Sequence, residues 1–504
     1  MRKSILLVTV DCLRADHVGF MGYPRATTPF LDSLAAEAFV VPAAIVAGAP
    51  TYYSLPAILA SRYPLALGRD VLGIAPGEAT LASTLKQAGY ATAAFGAANP
   101  YISSRFGYKE GFEEFCDFLQ AEHAPSREET MDTGTRGWAR RLNQSMQETL
   151  PSLGPLGVIY EELYFQYCQR VTPLPDSLDT LRRFPAADVI VDRACSWLAS
   201  IGDAPFFLWL HLMDPHSPYY PNAESLSLLE HDPITPFRAR YLNSYWNRSD
   251  LGTGRLSRRR DDVLALYDAG IRWVDMQLER LIDSLRNSNR WSQCILAVTA
   301  DHGEEFLEHG GRYHPPSRLM EELIHVPLML RVPGNSKKQL TGAPFSLLDL
   351  APTLLDAAGA LVPSGFRGES RWPQIREGLD YDATAVTECV SGCTNPFRRE
   401  DRLGPRVLSV RGRRFKLVLH FERPSECLYD LEADPGEQAP LAPTAQKPAR
   451  RYLLERAREH LRGSTREHLR GSIGEEEDVR HRVRARMRDL RLELERSYPQ
   501  RAAM

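Results

Sequence analysis

Acidic and histidine side chains stand where three strongly apolar stretches of the sequence end. These residues are Asp11 in the first stretch, His211, Asp214 and His216 in the second, and Asp301, His302, His309 and His314 in the third. Carboxylates with imidazoles suit Zn²⁺ or Mn²⁺, whereas carboxylates alone suit Ca²⁺ or Mg²⁺. A single Asp after a strand is more often a turn or helix-capping residue. Three such ends in one sheet instead favour a divalent metal centre, because a parallel sheet brings its strand ends together.

Thr51 is the alcohol that could attack a bound ester. It precedes an apolar segment that predicts a helix over residues 54–61, with Pro56 in its first turn. An alcohol is a poor nucleophile at neutral pH, but binding to a divalent cation lowers its pKa, as zinc lowers that of bound water to about 7. The start of a helix would add N–H groups that attract an anion. Capping of this helix is the alternative role for Thr51.

Alternating strands and helices are needed to position these residues. The β-branched run at residues 5–10 predicts a strand buried on both faces of a sheet. Helices are predicted at residues 28–38 and 54–61, and a helix that ends at Gly89 is followed by a strand through Ala97. The segments before Asp214 and Asp301 repeat the alternation. The pattern predicts a doubly wound, mostly parallel α/β sheet with its chemistry at the carboxyl ends of the strands.

The chain divides into three predicted parts. They are a catalytic α/β domain at residues 1–375 with an insertion at about 117–185, a small C-terminal α+β subdomain at 376–445, and a charged helical tail at 446–504. The tail carries a short duplication, REHLRGST followed by REHLRGS. Such a charge run is usually a solvated helix, and it is also a candidate surface for oligomer formation.

Composition narrows the class of protein. The 504 residues are 43% hydrophobic and 25% charged, as in a globular protein with a large core, and the net charge of -3 predicts no nucleic-acid partner. The eight scattered cysteines suggest reduced thiols rather than a disulfide framework. No stretch approaches the roughly 18 apolar residues of a membrane span, and the first apolar run is too short for a signal peptide. The chain is therefore predicted to be cytoplasmic.

Six segments in series carry a family resemblance. They are ILLVTVDCLRADHVGFMGYPRATTPFLDSLAAE, FFLWLHLMDPHSPY, VTADHGEEFLEHG, HVPLMLRVPG, LLDLAPTLLDAAG and ECLYDLEADPGE. In this order they resemble the sulfatase family of the alkaline phosphatase superfamily, over about residues 4–440. The resemblance implies an alkaline-phosphatase-like fold. It also implies a metal-dependent enzyme that moves a sulfuryl or phosphoryl group through a covalent intermediate on a metal-bound nucleophile.

The nucleophile segment departs from the sulfatase pattern. Sulfatases place a Cys or Ser in a Cys/Ser-x-Pro-x-Arg motif and oxidise it to formylglycine, and the same spacing back from Arg62 reaches Thr51 here. Thr cannot become formylglycine, and Leu55 stands at the position of the motif's Arg. Ser54 offers a Ser-x-Pro alternative but also lacks the Arg. The stretch TYYSLP instead resembles phosphoethanolamine transferases, which use Thr in a Thr-x-x-Ser-x-Pro context.

The strand ends and the resemblance together predict residue roles. The predicted metal ligands are Asp11, Thr51, Asp301 and His302; the predicted catalytic residues are Thr51, His216, His309 and His314; and His216 and Asn99 are predicted to contact the substrate. His309 and His314 are alternatives for one position near the leaving group. Zn²⁺ or Mn²⁺ is favoured, Ca²⁺ or Mg²⁺ is the alternative, and one or two ions per chain are expected.

Three further residues near these positions have predicted supporting roles. Arg14 is expected to hold the Asp11 carboxylate, and His211 is expected in the core or behind a metal ligand. Cys12 suits either a soft zinc ligand or a small buried residue.

The predicted function is a metal-dependent hydrolase or group transferase that acts on a phosphate or sulfate ester through Thr51. The ester would belong to a small molecule, a glycan or a lipid headgroup. A sulfuric ester hydrolase without formylglycine is one alternative. A non-catalytic binding member of the family is the other, although the presence of Asp11, Asp301 and His302 argues against it.

Overall fold

The structure is a computed structural model that describes residues 2–119, 155–173, 176–229, 234–335, 342–422 and 425–471. The described residues form sixteen strands: β1 (Ser4–Val10), β2 (Phe39–Val40), β3 (Ala44–Ile45), β4 (Ala91–Gly96), β5 (Glu114–Cys116), β6 (Phe206–Leu212), β7 (Cys294–Ala300), β8 (Glu305–Phe306), β9 (Arg312–Tyr313), β10 (His325–Val326), β11 (Leu328–Arg331), β12 (Phe345–Ser346), β13 (Ala385–Val390), β14 (Arg406–Arg411), β15 (Phe415–His420) and β16 (Ser425–Asp430).

The α-helices of the same residues are α1 (Pro29–Ala35), α2 (Thr51–Ala60), α3 (Leu81–Gln87), α4 (Pro155–Val171), α5 (Ala187–Ser200), α6 (Ala223–Leu229), α7 (Pro236–Trp246), α8 (Thr253–Leu256), α9 (Arg260–Asn287), α10 (Glu321–Ile324), α11 (Leu350–Ala358), α12 (Trp372–Glu377), α13 (Arg399–Arg402) and α14 (Lys447–Gly471). Among them, α3, α5 and α11 pack against strands of the central sheet.

A seven-stranded sheet in the order β2-β11-β7-β1-β6-β4-β5 lies at the centre of the residues predicted to form the α/β domain. The five strands from β7 to β5 are parallel, and β11 runs antiparallel to β7. Every residue of β1, β6 and β7 is buried, because helices cover both faces of the sheet. The predicted doubly wound, mostly parallel α/β fold is confirmed.

The register of the three central strands brings their carboxyl ends to one level. Val10, the last residue of β1, lies opposite Leu212 of β6 and Ala300 of β7. Asp11 and Asp301 therefore leave the sheet side by side. His211 is the exception among the predicted strand-end residues, because it lies within β6 rather than after it.

Helix α2 begins at Thr51, three residues before the predicted start. Thr51 is therefore its first residue, and the expectation that Pro56 lies in the first turn is wrong: Pro56 lies in the second turn. All ten residues of α2 are buried. Packing on every side lets the helix keep an interior proline that lacks a backbone N–H.

The C-terminal subdomain is a four-stranded antiparallel sheet, β13-β14-β15-β16. Helix α14 packs on it through Leu453, Ala457 and Leu461, which repeat at a spacing of four and are all buried. The first turns of the predicted solvated tail thus belong to this subdomain, because they carry an apolar stripe. The rest of the tail from residue 472, and residues 120–154 of the predicted insertion, lie outside the described residues.

Within the described ranges, no helix has both the length and the apolar character needed to cross a bilayer. The cytoplasmic location stays a prediction.

Candidate active site

Asp11, Asp301 and His302 meet at the carboxyl ends of β1 and β7. The Nε2 atom of His302 lies 3.5 Å from Oδ1 of Asp11 and 3.6 Å from Oδ2 of Asp301. One potential ligand atom from each of the three residues lies within 4.8 Å of the others, and all three are fully buried. The structure thus brings together the three strand-end residues that were predicted as metal ligands.

The charges at this point fit a bound cation. Burial raises the pKa of Asp301, and the negative charge of Asp11 raises it further. Oδ2 of Asp301 is buried and has no hydrogen-bond partner among the described residues. Burial acts to raise the pKa of Asp11, but neighbouring histidines outweigh it and hold that pKa well below its usual range; they are His216, His211 and His302. Two buried carboxylates, one with an unpartnered oxygen, are a suitable donor set for a divalent metal.

Thr51 presents its hydroxyl to this cluster. Its Oγ1 lies 3.0 Å from Nε2 of His302, and the residue is 4% exposed. The residue that caps α2 is Pro50, so Thr51 does not have the capping role considered as its alternative. As the first residue of α2, Thr51 also lies at the positive end of the helix dipole.

Ser54, the alternative alcohol, faces its own helix. Its Oγ donates to the carbonyl of Thr51 at 3.4 Å. Arg62 follows α2 but forms an ion pair with Glu78 and donates to the carbonyl of Gly73 at 2.7 Å. Within the described residues, neither side chain hydrogen-bonds or pairs with Asp11, Asp301 or His302.

Asn99 and His211 contact the carboxylate of Asp11. Nδ2 of Asn99 donates to Oδ2 of Asp11 at 3.1 Å, and Nε2 of His211 lies 3.3 Å from the same oxygen. On the other side of the His211 ring, Nδ1 lies 2.9 Å from Oγ1 of Thr9. This oxygen accepts a hydrogen bond from Nε1 of Trp209 at 3.0 Å. His211 thus supports a predicted metal ligand. Thr9 and Trp209 lie within strands that consist mostly of apolar residues, and their spacing alone did not mark them as part of the site.

His314 and His216 form the rim of the cluster. The ring of His314 lies 4.6 Å from that of His302 and 5.2 Å from that of His216, measured between centroids. Nδ1 of His314 is 2.8 Å from Oε2 of Glu304, whose other oxygen accepts from the Tyr219 hydroxyl at 2.6 Å. Burial acts to raise the pKa of Glu304, but His314 outweighs it and holds that pKa below its usual range.

Glu304 and Tyr219 were not assigned roles from the sequence. Glu304 follows Asp301 and His302 in the segment ADHGEE, so its position beside two predicted ligands was the available signal. Tyr219 had no such signal, because it comes from the loop after β6 and reaches Glu304 only in the folded chain.

His309 belongs to a different group of residues. Its Nδ1 lies 2.7 Å from Oε1 of Glu322 and its Nε2 lies 3.3 Å from the carbonyl of Glu437. The hydrogen bond to Glu322 raises the pKa of His309. Of the two predicted alternatives for the leaving-group position, the structure therefore places His314 beside His302, and His309 next to the C-terminal subdomain.

Cys12 lies beside the same cluster. Its Sγ is 3.2 Å from Oδ1 of Asp11 and 3.5 Å from Nδ1 of His314. Burial, and then the negative charge of Glu304, raise the pKa of the thiol well above its usual range.

Arg14 does not hold the Asp11 carboxylate, contrary to expectation. Its guanidinium pairs with Asp16 and Glu308, each at 2.7 Å, and donates to the carbonyl of Glu304 at 3.0 Å. The chain turns after Cys12, so Arg14 extends towards the segment that follows β7.

Two family models match the chain. The model described as Sulfatase matches residues 3–360, which is more than half of the chain. The model described as N-sulphoglucosamine sulphohydrolase, C-terminal, matches residues 310–462. The two matches together include both the cluster around Thr51 and the C-terminal sheet.

Individual proteins agree with these matches. Arylsulfatase K of Canis lupus familiaris is 30% identical over 211 residues, which are 37% of this chain and 39% of that protein. The chain spans only 36% to 51% of the length of the arylsulfatase K relatives that it matches.

Two solved structures share the fold. One is BT4656 in complex with its substrate D-glucosamine-2-N,6-O-disulfate, with a TM-score of 0.65, 18% identity, and coverage of 95% of this chain and 100% of that chain. The other is phosphonate monoester hydrolase of Agrobacterium radiobacter, with a TM-score of 0.60, 19% identity, and coverage of 92% and 96%.

Proposed function

The chain belongs to the sulfatase family, and from that premise we propose that it is a metal-dependent ester hydrolase whose nucleophile is Thr51. The supporting observation is the position of the Thr51 hydroxyl, 3.0 Å from Nε2 of His302 and directed at the buried carboxylate cluster. The substrate is a sulfate, phosphate or phosphonate ester. The relatives named for sulfate and phosphonate esters support this class of substrate.

Asp11, Asp301 and His302 would hold the cation, with Thr51 completing the set. When bound there, a divalent cation would lower the pKa of the Thr51 hydroxyl and offset negative charge on the transferred group. Zn²⁺ and Mn²⁺ suit carboxylates mixed with imidazole. The buried, unpartnered Oδ2 of Asp301 supports this assignment.

The side chains of the protein supply the remaining steps. The Thr51 hydroxyl releases its proton to solvent, and its oxygen attacks the sulfur or phosphorus atom. The bond from that atom to the ester oxygen breaks. His314 protonates the departing oxygen through Nε2, because Nδ1 is engaged by Glu304 at 2.8 Å. His216 and Asn99 contact the oxygens of the transferred group. Water then releases the group from Thr51; an acceptor alcohol in place of water would make the protein a transferase.

In this proposal the alcohol that leaves from the ester belongs to a small molecule, a glycan or a lipid headgroup. A sulfatase that acts without formylglycine is the second candidate, and it uses the same cluster. Ser54 is its alternative nucleophile, but the contact of that side chain with its own helix favours Thr51.

Replacement of Thr51 tests the nucleophile. We expect Thr51→Ala to lower kcat/KM by at least about a thousandfold, since loss of a nucleophile removes the covalent route. Ser54→Ala is the matched control in the same helix and should keep activity within about threefold of the parent, because Ser54 only bonds its own backbone. Circular dichroism checks that both variants fold. Full activity of Thr51→Ala, or a mass that shows formylglycine at Ser54, would overturn the proposal.

A substrate panel separates the candidate reactions. The rates with 4-nitrophenyl sulfate, 4-nitrophenyl phosphate and a phosphonate monoester are compared on the metal-loaded protein. A dominant sulfate rate identifies a sulfatase, and a dominant phosphate or phosphonate rate identifies a phosphohydrolase. If the metal-loaded protein turns over none of them, a binding role gains support.

A further inference from the structure

We propose that Cys12 is a thiolate ligand of the metal centre and makes the centre selective for zinc over calcium and magnesium. The inference rests on the proposed function only in placing a cation beside Asp11, Asp301 and His302. It adds a sulfur ligand that changes which cation the protein holds.

The position of the sulfur carries the argument. Sγ of Cys12 lies 3.2 Å from Oδ1 of Asp11 and 3.5 Å from Nδ1 of His314. Cys12 belongs to two groups of potential metal ligands. One contains His302 and His314, the other contains Asp11 and His216, and within each group the ligand atoms lie within 4.8 Å of one another. A thiol that served only as small core packing would have apolar neighbours, whereas this one is surrounded by groups that bind metals.

The backbone delivers the side chain to this place. Consecutive residues of a strand point to opposite faces, so Asp11 and Cys12 would face apart if β1 continued. Cys12 instead has a φ of 63°, in the left-handed region that non-glycine residues seldom adopt. The turn brings both side chains to the same side of the chain, as the short distance between Sγ and the Asp11 carboxylate records.

A second observation independent of Cys12 also points to a cation. Oδ2 of Asp301 is buried without a partner, and it lies 3.6 Å from Nε2 of His302. Within the described chain, the ion pairs of Asp11 and Asp301 involve only histidines. The cluster thus holds two carboxylates and a thiol without a lysine or arginine paired to either carboxylate.

The chemistry of sulfur sets the preference. Thiolate is a soft ligand that binds Zn²⁺ well, whereas Ca²⁺ and Mg²⁺ take oxygen ligands. On binding, the sulfur–hydrogen bond is replaced by a sulfur–metal bond, and the proton is released to solvent. No oxidation or reduction takes place.

Cobalt substitution tests the sulfur ligand directly. Full-length protein is stripped of metal and loaded with Co²⁺, and the near-ultraviolet thiolate-to-cobalt charge-transfer band is recorded. We expect the band in the parent and in Cys294→Ser, and its loss in Cys12→Ser. Cys294 is a matched control because it is equally buried but lies at the opposite end of β7. X-ray absorption of the zinc form should show a sulfur scatterer at about 2.3 Å in the parent and in Cys294→Ser, but not in Cys12→Ser.

Metal competition tests the selectivity. We expect Cys12→Ser to lower the ratio of zinc affinity to calcium affinity by at least about tenfold. Loss of a residue that only supports a metal ligand already lowers metal affinity by about that factor, and loss of a ligand should cost at least as much. Absence of the charge-transfer band in the cobalt-loaded parent, or its persistence in Cys12→Ser, would overturn the inference. This test is independent of the test of the nucleophile. If the cobalt band shows a sulfur ligand but Thr51→Ala is fully active, only the proposed role of Thr51 is rejected.

Discussion

Asp11 is held by a chain of buried hydrogen bonds that runs through His211. The indole N–H of Trp209 can only donate, so it donates to Oγ1 of Thr9 at 3.0 Å. Nε2 of His211 faces a carboxylate oxygen of Asp11 at 3.3 Å and therefore carries a proton in the arrangement that satisfies both. The other nitrogen, Nδ1, lies 2.9 Å from the Thr9 hydroxyl, which also lies 3.3 Å from the carbonyl of Leu210. Thr9 thus orients the histidine that supports Asp11.

Thr9→Val should destabilise the protein although its shape is nearly unchanged. The variant leaves the Trp209 indole N–H and Nδ1 of His211 buried without partners, and each such group costs about 1–3 kcal/mol. We expect the free energy of unfolding in urea to fall by about 2–6 kcal/mol. Thr9→Ser is the control, since it keeps the hydroxyl. Equal stability of Thr9→Val and the parent would contradict the hydrogen-bond chain.

Helix α5 is capped by a residue from another element. The residue before it, Ala186, has no side chain that can cap, and the N–H of Ala187 donates to Oδ1 of Asp214 at 3.2 Å. Asp214 follows β6, so this contact ties the helix to the loop that carries His216. Burial raises the pKa of Asp214 to about 6, because removal from water disfavours the charged form of the carboxylate.

Asp214→Asn should reduce the loss of stability with rising pH. The pKa of Asp214 is about 6 in the folded protein and about 3.9 in the unfolded chain, so the folded state favours the protonated carboxyl. This contribution to the free energy of unfolding is complete below about pH 3.9 and is lost as the pH rises through about 6. Asn stays neutral and can still accept from Ala187. We expect the variant to gain about 2–3 kcal/mol relative to the parent between pH 4 and pH 8, measured by urea unfolding. The same difference in stability at both pH values would contradict this.

An ionic cluster joins the catalytic domain to the C-terminal subdomain. Lys416 of β15 is fully buried, and its Nζ lies 3.2 Å from Oε1 of Glu321 in α10 and 2.8 Å from Oε1 of Glu437. The N–H of Glu321 also donates to Oε2 of Glu437 at 2.7 Å. His309 lies next to the same contact, 3.3 Å from the carbonyl of Glu437. The two parts of the molecule are thus held by buried charges as well as by apolar packing.

Lys416→Met should lower the free energy of unfolding by more than a typical substitution at an exposed position does. The apolar side chain leaves the buried Glu437 carboxylate without its cation and leaves Glu321 paired with Arg411, at 3.6 Å. Loss of one partner of a buried pair costs about 3–5 kcal/mol. We expect a loss of that size in unfolding free energy. Adding Glu437→Gln removes the unpaired charge and should restore at least half of it. A double variant no more stable than Lys416→Met would contradict the role of Glu437.

The order of apolar and polar residues was enough to predict the central strands and the reactive side chains at their ends. Nearly continuous apolar runs predicted β1, β6 and β7, because strands buried on both faces consist mostly of apolar residues. Asp11, Asp301 and His302 were identified as a group because parallel strands end at one edge of a sheet. The start of α2 was missed, since tertiary packing rather than a capping side chain begins that helix at Thr51.

The contacts between side chains from distant segments became visible only in the folded chain. His309 and His314 stand five residues apart and could not be separated by pattern, yet the short β8–β9 hairpin puts one beside Glu322 and the other beside His302. Likewise Thr51, Cys12 and Tyr219 reach the site from three distant segments. Local sequence encodes strands and helices through burial and hydrogen bonding, but contact between distant side chains depends on strand register, turns and packing. Those are properties of the whole folded chain.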